Sequence, residues 1–243
     1  TNGKYSHRNY TYKFAGHLAS PPLVAVFSAL MLQTNPNLTY RDVRAILALP
    51  ARQNDASDAG WTAPFGTPTP NPAGAVNPDS IPHFNHKYGY GVVDANAAVN
   101  AAKSWVPLQA LKPSCAKTQS PNTPILDNST TGAADMITVT GCTMTRIEAV
   151  EVVFNADDHA SMGDLSVQLT SPAGAVSKRT ETHKCATSGG TAKICTTKYN
   201  DYLLSSQRHL NETSNGNWVL TVRDGVSGNT GTFKSWTLTL YGR

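Results

Sequence analysis

The chain has 243 residues, 40% hydrophobic and 15% charged, with a formal net charge of +4. That is enough apolar content for a packed core and enough length for two modest domains, at roughly 100–200 residues per domain, and it excludes a disordered tail. Lysines and arginines are scattered singly, which argues against a nucleic-acid partner, and no apolar run approaches the roughly 20 residues that a membrane span requires.

Thr1 to Tyr12 is polar and carries no apolar stretch of the signal-peptide kind. Pro21 and Pro22 then precede Leu23 to Leu32, which is apolar on every side. That pattern predicts a buried helix with its prolines in the first turn, where a missing N–H costs little. Asn35-Pro36-Asn37 ends it. Thr39 followed by Asp42 resembles a capping box, so a second helix starts there, with Val43, Ile46 and Leu47 on one face and Pro50 closing it. Residues 53–82 are irregular. Small residues at 95, 97, 98, 101 and 102 predict a third helix ending near Trp105. Pro107, Pro113, Pro121 and Pro124 mark a linker.

Beyond the linker the apolar period becomes twofold. Val150, Val152 and Phe154 form one alternating set; Leu165, Val167 and Leu169 form another. Trp218, Leu220 and Val222 repeat the pattern, as do Trp236, Leu238 and Leu240. Alternation turns one face to a core and the other to water, and several such runs between Gly, Asn, Ser and Pro turns predict an antiparallel sandwich. Trp218 and Trp236 fall in register with the aliphatics, which favours core anchors over a sugar-binding platform. The four cysteines, Cys115, Cys142, Cys185 and Cys195, allow three pairings. The Gly189-Gly190 turn favours a local Cys185–Cys195 bridge, which leaves Cys115 with Cys142. Disulfides imply an oxidising compartment, so a secreted or periplasmic protein is expected.

Three stretches together resemble one family. Gly16-His17-Leu18-Ala19-Ser20-Pro21-Pro22 stands where subtilases carry Gly-Thr-Ser-x-Ala-x-Pro before a long apolar helix. His86-Lys87-Tyr88-Gly89-Tyr90-Gly91-Val92-Val93-Asp94-Ala95 resembles the end of a catalytic domain in the bacterial kexin-like branch. Gly163-Asp164-Leu165-Ser166-Val167, Leu169-Thr170-Ser171-Pro172-Ala173-Gly174, Gly216-Asn217-Trp218-Val219-Leu220 and Ser235-Trp236 resemble the P domain, also called Homo B. The resemblance implies an α/β fold for residues 1–107, the C-terminal portion of a subtilisin-like parallel-sheet domain. Residues 108–134 would be linker and approach to the sandwich, and residues 135–243 an all-β, jelly-roll-like P domain. It further implies the C-terminal part of a secreted serine endopeptidase of protein or peptide substrates, whose P domain stabilises the catalytic domain. The remainder of that domain is the expected partner.

Subtilases use Asp, His and Ser in that chain order; the serine attacks, the histidine takes its proton and the aspartate orients the histidine. In the matching motif the serine position is Leu18, which offers no nucleophile, and His17 replaces a threonine. Ser20 is the nearest hydroxyl but stands two positions late. The segments that carry the family's Asp, His and Asn are not in this chain. A catalytically dead pseudo-peptidase and a β-sandwich binding module are the rival readings. Asp157, Asp158, Asp164 and Asp224 fall at strand ends. Asp158, Asp164 and Asp224 are candidate Ca²⁺ ligands, against the alternative of turn aspartates that accept from neighbouring N–H groups. His83-x-x-His86 is a weak metal pair without a clear third ligand. Asn9, Asn37, Asn128 and Asn211 begin Asn-x-Ser/Thr triplets.

Overall fold

Pro21 and Pro22 occupy the first turn of helix α1 (Ser20–Thr34) in the computed structural model, which describes residues 19–62 and 76–243. The helix forms as the sequence predicts, but it is not buried. Met31 is its one fully buried residue, while Leu23, Val26, Leu30 and Leu32 are 54, 56, 43 and 41% exposed. An apolar surface all round a helix is stabilised only when neighbours cover it, and the described residues supply too few. Helix α2 (Tyr40–Ala48) carries the expected capping box, with Asp42 N donating to Thr39 Oγ1 at 3.2 Å and Thr39 N donating to Asp42 Oδ2 at 2.8 Å. Helix α3 (Ala95–Lys103) starts at Asp94, whose Oδ1 accepts from Ala97 N at 2.9 Å. Ala98, Ala101 and Ala102 turn inward and pack with Met31, Leu38, Ala45, Ile46 and Trp105. These helices, with residues 51–59, 76–78 and 87–108, make one compact unit. No parallel strand pair occurs among the described residues, so the sheet expected around these helices is not part of what the structure shows.

The second compact unit takes residues 60–62, 79–86 and 109–243. Its first strands are β1 (Cys115–Gln119), β2 (Thr123–Ile125) and β3 (Ala133–Val139). Next come β4 (Ile147–Ala156), β5 (Leu165–Thr170) and β6 (Val176–Thr180). A small hairpin, β7 (Cys185–Ala186) and β8 (Ala192–Lys193), precedes β9 (Tyr199–Ser206) and β10 (Gly216–Asp224). The unit ends with β11 (Gly231–Phe233) and β12 (Ser235–Gly242). Two four-stranded antiparallel sheets result, in the orders β1-β12-β4-β9 and β3-β10-β5-β6. Their inner faces meet in one core that holds Val150, Val152, Phe154, Leu165, Val167, Leu169, Trp218, Leu220, Trp236 and Leu238. The four alternating runs of the sequence are thus the central strands β4, β5, β10 and β12.

Both tryptophans are anchors of this core, and each finds a partner for its indole N–H. Trp218 Nε1 donates to Ser214 O at 2.9 Å and Trp236 Nε1 to Asp135 Oδ2 at 2.7 Å, as buried indoles usually require. Gly216 opens β10 at φ +128°, and a side chain there would also lie 2.6 Å from Pro172 Cβ. Cys115 is joined to Cys142 and Cys185 to Cys195, the pairing read from the Gly189-Gly190 turn.

Candidate functional site

The loops at one end of the sandwich converge on a buried polar network. The short helical turn Met162–Asp164 sets Asp164 beside the segment that follows β10. Asp164 Oδ1 accepts from Ser161 Oγ at 3.0 Å and Oδ2 from Asn229 Nδ2 at 2.9 Å. Asp224 Oδ1 accepts from Val226 N at 2.9 Å, and its Oδ2 lies 3.1 Å from His159 Nε2. The other ring nitrogen of His159 lies 3.0 Å from Ser161 O. Asp158 Oδ1 accepts from Thr232 N at 2.9 Å. Burial alone would raise the Asp158 carboxyl, but these Thr232 bonds and the charge of Lys234 hold it below its ordinary range.

A Ser, a His and an Asp thus lie together, yet they are not wired for nucleophilic catalysis. The Ser161 hydroxyl donates to Asp164 rather than to His159, and both His159 nitrogens are engaged elsewhere. A base that cannot reach the hydroxyl cannot activate it. The carboxylates of Asp158, Asp164 and Asp224 are not all gathered within 4.8 Å of one another. A Ca²⁺ ion takes about 6–8 oxygens. Among the described residues, the only three His, Cys, Asp or Glu side chains whose ligand atoms all lie within 4.8 Å of one another are His183, Cys185 and Cys195. Asp158, Asp164 and Asp224 each accept hydrogen bonds that tie neighbouring loops together.

Leu18 and His17 lie outside the described residues. Ser20 begins α1 and is exposed, and among the described residues no histidine is hydrogen-bonded to it. His83 and His86 have separate roles. His83 packs edge-on against Trp61, with ring centroids 5.1 Å apart, while His86 Nε2 lies 3.2 Å from Val176 O. Asn211 is buried, with Nδ2 donating to Ser80 O at 2.7 Å and Oδ1 accepting from Arg243 at 2.8 Å, so its triplet is closed to modification in the folded chain. Asn37 and Asn128 are exposed.

Sequence reasoning missed a second buried cluster. Arg243 donates to Glu148 Oε1 at 3.2 Å and to Asp79 Oδ1 at 2.9 Å. The Arg208 guanidinium lies over the Phe84 ring, 4.7 Å from its centroid, and donates to Thr62 Oγ1 at 2.9 Å. His209 Nδ1 lies 3.2 Å from Glu212 Oε1. Burial pushes the His209 ring down despite the opposing pull of Glu212. Arg179, from the edge strand β6, points its guanidinium inward and reaches Val150 O at 3.5 Å. Burial alone pushes its pKa down to about 10. The spacing of His209 and Glu212 hints at a local pair; nothing in the sequence around Arg179 marks it as buried.

Two facing antiparallel sheets around one shared core define a β-sandwich domain. Residues 147–240 match the family model described as "Proprotein convertase P-domain", so the sandwich is a P domain of the proprotein convertase (subtilisin/kexin) family. The chain is 28% identical over 242 residues to human proprotein convertase subtilisin/kexin type 4, covering 97% of this chain and 29% of that protein. It is 26% identical over 249 residues to kexin of Saccharomyces cerevisiae, covering 99% of this chain and 27% of that protein. A serine protease of Aeromonas sobria, solved in complex with a chaperone, superposes with a TM-score of 0.72 at 24% identity, over 93% of this chain and 43% of its own. That likeness is one of fold. The chain spans less than a third of the length of the curated relatives named here.

Proposed function

We propose that this chain is the C-terminal part of a secreted subtilisin/kexin-like serine endopeptidase, in which residues 1–107 complete an α/β catalytic domain and the sandwich stabilises that domain. The observation that carries this reading is α1. Its four large apolar residues stay 41–56% exposed, and a surface of that kind is stable only when covered. The remainder of the catalytic domain is the fitting cover, since in this family the helix follows the nucleophile motif and packs on a parallel sheet that lies upstream.

The chain by itself lacks a competent triad in this reading, because Leu18 holds the nucleophile's position and the Asp, His and Asn segments lie elsewhere in the parent protein. Two measurements test it. The chain alone should not react with a fluorophosphonate probe, with or without Leu18→Ser. Co-expressed with the upstream catalytic segment, it should protect α1 from proteolysis, and Leu18→Ser should then switch on probe labelling. Labelling of the isolated chain at Ser20 would overturn the alignment. Leu18 also favours a second reading, a pseudo-peptidase that binds without cutting; an assembled Leu18→Ser protein that stays unlabelled would support it.

A further inference from the structure

The hairpin β7–β8 carries a group of side chains that none of this chemistry uses. A ring nitrogen of His183 and the sulfurs of Cys185 and Cys195 all lie within 4.8 Å of one another. In the structure the two sulfurs are bonded. We propose that, once this bridge is reduced, His183, Cys185 and Cys195 form a tetrahedral Zn²⁺-type site with water in the fourth position.

Four observations support it. First, two thiolates and one imidazole are a donor set that zinc favours, with bonds of about 2.3 Å to sulfur and 2.0–2.1 Å to nitrogen. Ligand atoms gathered within 4.8 Å need only small movements to reach one ion.

Second, His183 is oriented as a ligand. Its Nδ1 donates to Glu181 O at 2.9 Å, which leaves Nε2 as the basic nitrogen. A backbone carbonyl holding the far ring nitrogen is the usual support of a metal-bound histidine.

Third, both arms of the hairpin are tied to the sandwich by bonds that do not depend on the bridge. His183 N donates to Gly163 O at 2.8 Å, and Met162 N donates to Thr197 O at 3.0 Å. Gly163 allows the close approach: a Cβ there would lie 2.6 Å from Cys195 Sγ. Reduction therefore frees the sulfurs without freeing the strands that hold them.

Fourth, there is access for an ion and a water. A cavity of about 380 Å³ beside the group is lined by Asp164, Thr182, His183, Lys184, Ile194 and Cys195, together with Val226. Asp164 already accepts from Ser161 and Asn229, so water rather than this carboxylate takes the open position.

The chemistry balances with a dithiol as reductant. Its two sulfurs join in a disulfide; two electrons and two protons pass to Cys185 and Cys195, and the S–S bond breaks. The metal then displaces both thiol protons as it binds. Lys184 and Lys193, the latter directly across from Cys185, favour the thiolate forms.

The test is a Co²⁺ titration of the whole chain, oxidised and then reduced with a phosphine, followed by Zn²⁺ competition. The reduced protein should bind one Co²⁺ with thiolate charge-transfer and tetrahedral d–d absorption, and Zn²⁺ should bleach both. The oxidised protein should bind at least about 100-fold more weakly, since its sulfurs are spent in the bridge. His183 is exposed, so His183→Asn should fold normally; it should weaken Co²⁺ by about tenfold or more, and Cys185→Ser, which leaves Cys195 as the single thiolate, should cut the charge-transfer absorption by about half or more. Near-UV circular dichroism reports the fold alongside. Equal binding by oxidised and reduced protein would overturn the proposal, and so would Co²⁺ binding untouched by His183→Asn. Loss of the near-UV signal on reduction without metal uptake would overturn it as well, because the tethers to Gly163 and Met162 are required to hold the site.

Discussion

In the sandwich, Trp218, Leu220, Val222, Trp236, Leu238 and Leu240 are all 0–1% exposed, whereas α1 buries only Met31 and leaves four large apolar side chains at 41–56%. The two regions were made from similarly apolar runs, so the difference is not one of composition. A strand needs a second sheet to cover it, and the sandwich carries both sheets within one stretch of chain. A helix that is apolar all round needs neighbours on every side, and among the described residues the helical unit offers it only α2 and α3 as further helices. One region covers its apolar faces with its own two sheets; the other leaves an apolar helix surface exposed.

The largest effect should come from separating them. Residues 79–243 should melt cooperatively through the sandwich they contain, and residues 1–108 cannot be expected to do so, since folding would leave α1 uncovered. A cooperative melt from residues 1–108 alone would break the comparison outright. Starting the β protein at residue 109 removes Asp79 and Ser80 from Arg243 and Asn211. Losing these two buried hydrogen-bond partners should cost about 1–3 kcal/mol, read from urea melts of the two lengths.

Single substitutions should divide the same way. Trp236→Ala should destabilise the sandwich by about 3–5 kcal/mol, the usual cost of emptying a core site. Leu30→Ser, on the uncovered helix, should change the stability of this chain by no more than about 0.5 kcal/mol; a loss above 2 kcal/mol would mean that α1 is covered in solution. Arg179→Met should be stabilising, by about 1–3 kcal/mol, because the buried guanidinium has a long bond to Val150 O and no carboxylate to offset its burial. Chemical denaturation showing a clear loss at that position would point to an acidic partner for Arg179.

The smallest effect distinguishes the regions by pH. Burial pushes His209 below its ordinary 6.5. The unfolded chain then binds a proton that the folded sandwich refuses, so this contribution is present above pH 6.5 and is lost as pH falls below it. For Asp42, burial alone would raise the carboxyl. Hydrogen bonds from Thr39, Leu108 and Trp105 outweigh that and hold it below 3.8. Its contribution is full above pH 3.8 and disappears as pH falls through the lowered folded value. Hydrogen exchange should therefore show the amides of β10 loosening in a higher pH window than those of α2, and His209→Gln should remove only the first.

The sequence made the centre of the sandwich readable and its margins obscure. Strands β4, β5, β10 and β12 are flanked on both sides, so their alternation is complete. Edge strands have one neighbour and less to hide: β9 is exposed at residues 200–203, and β1 is exposed at residues 116–119. Cys115–Gln119 therefore read as linker, although it pairs along its whole length with β12. The Thr39–Asp42 capping box was legible because it is local. That the same carboxylate also accepts from Trp105 Nε1 and Leu108 N, both at 2.8 Å, was not, since those donors lie more than 60 residues away. His159 and Asp224 are separated by 65 residues and escaped for the same reason.

The Cys115–Cys142 bridge has a mechanical consequence. Cys115 is the first residue of β1, and its partner lies 27 residues further on. Tension drawn along the chain from the helical side reaches sulfur before it reaches the β1–β12 ladder. The load crosses to Cys142 and bypasses β1, β2 and β3 entirely. Pulled from its ends, the oxidised chain cannot be extended through residues 116–141, and only reduction would add that stretch to its contour length.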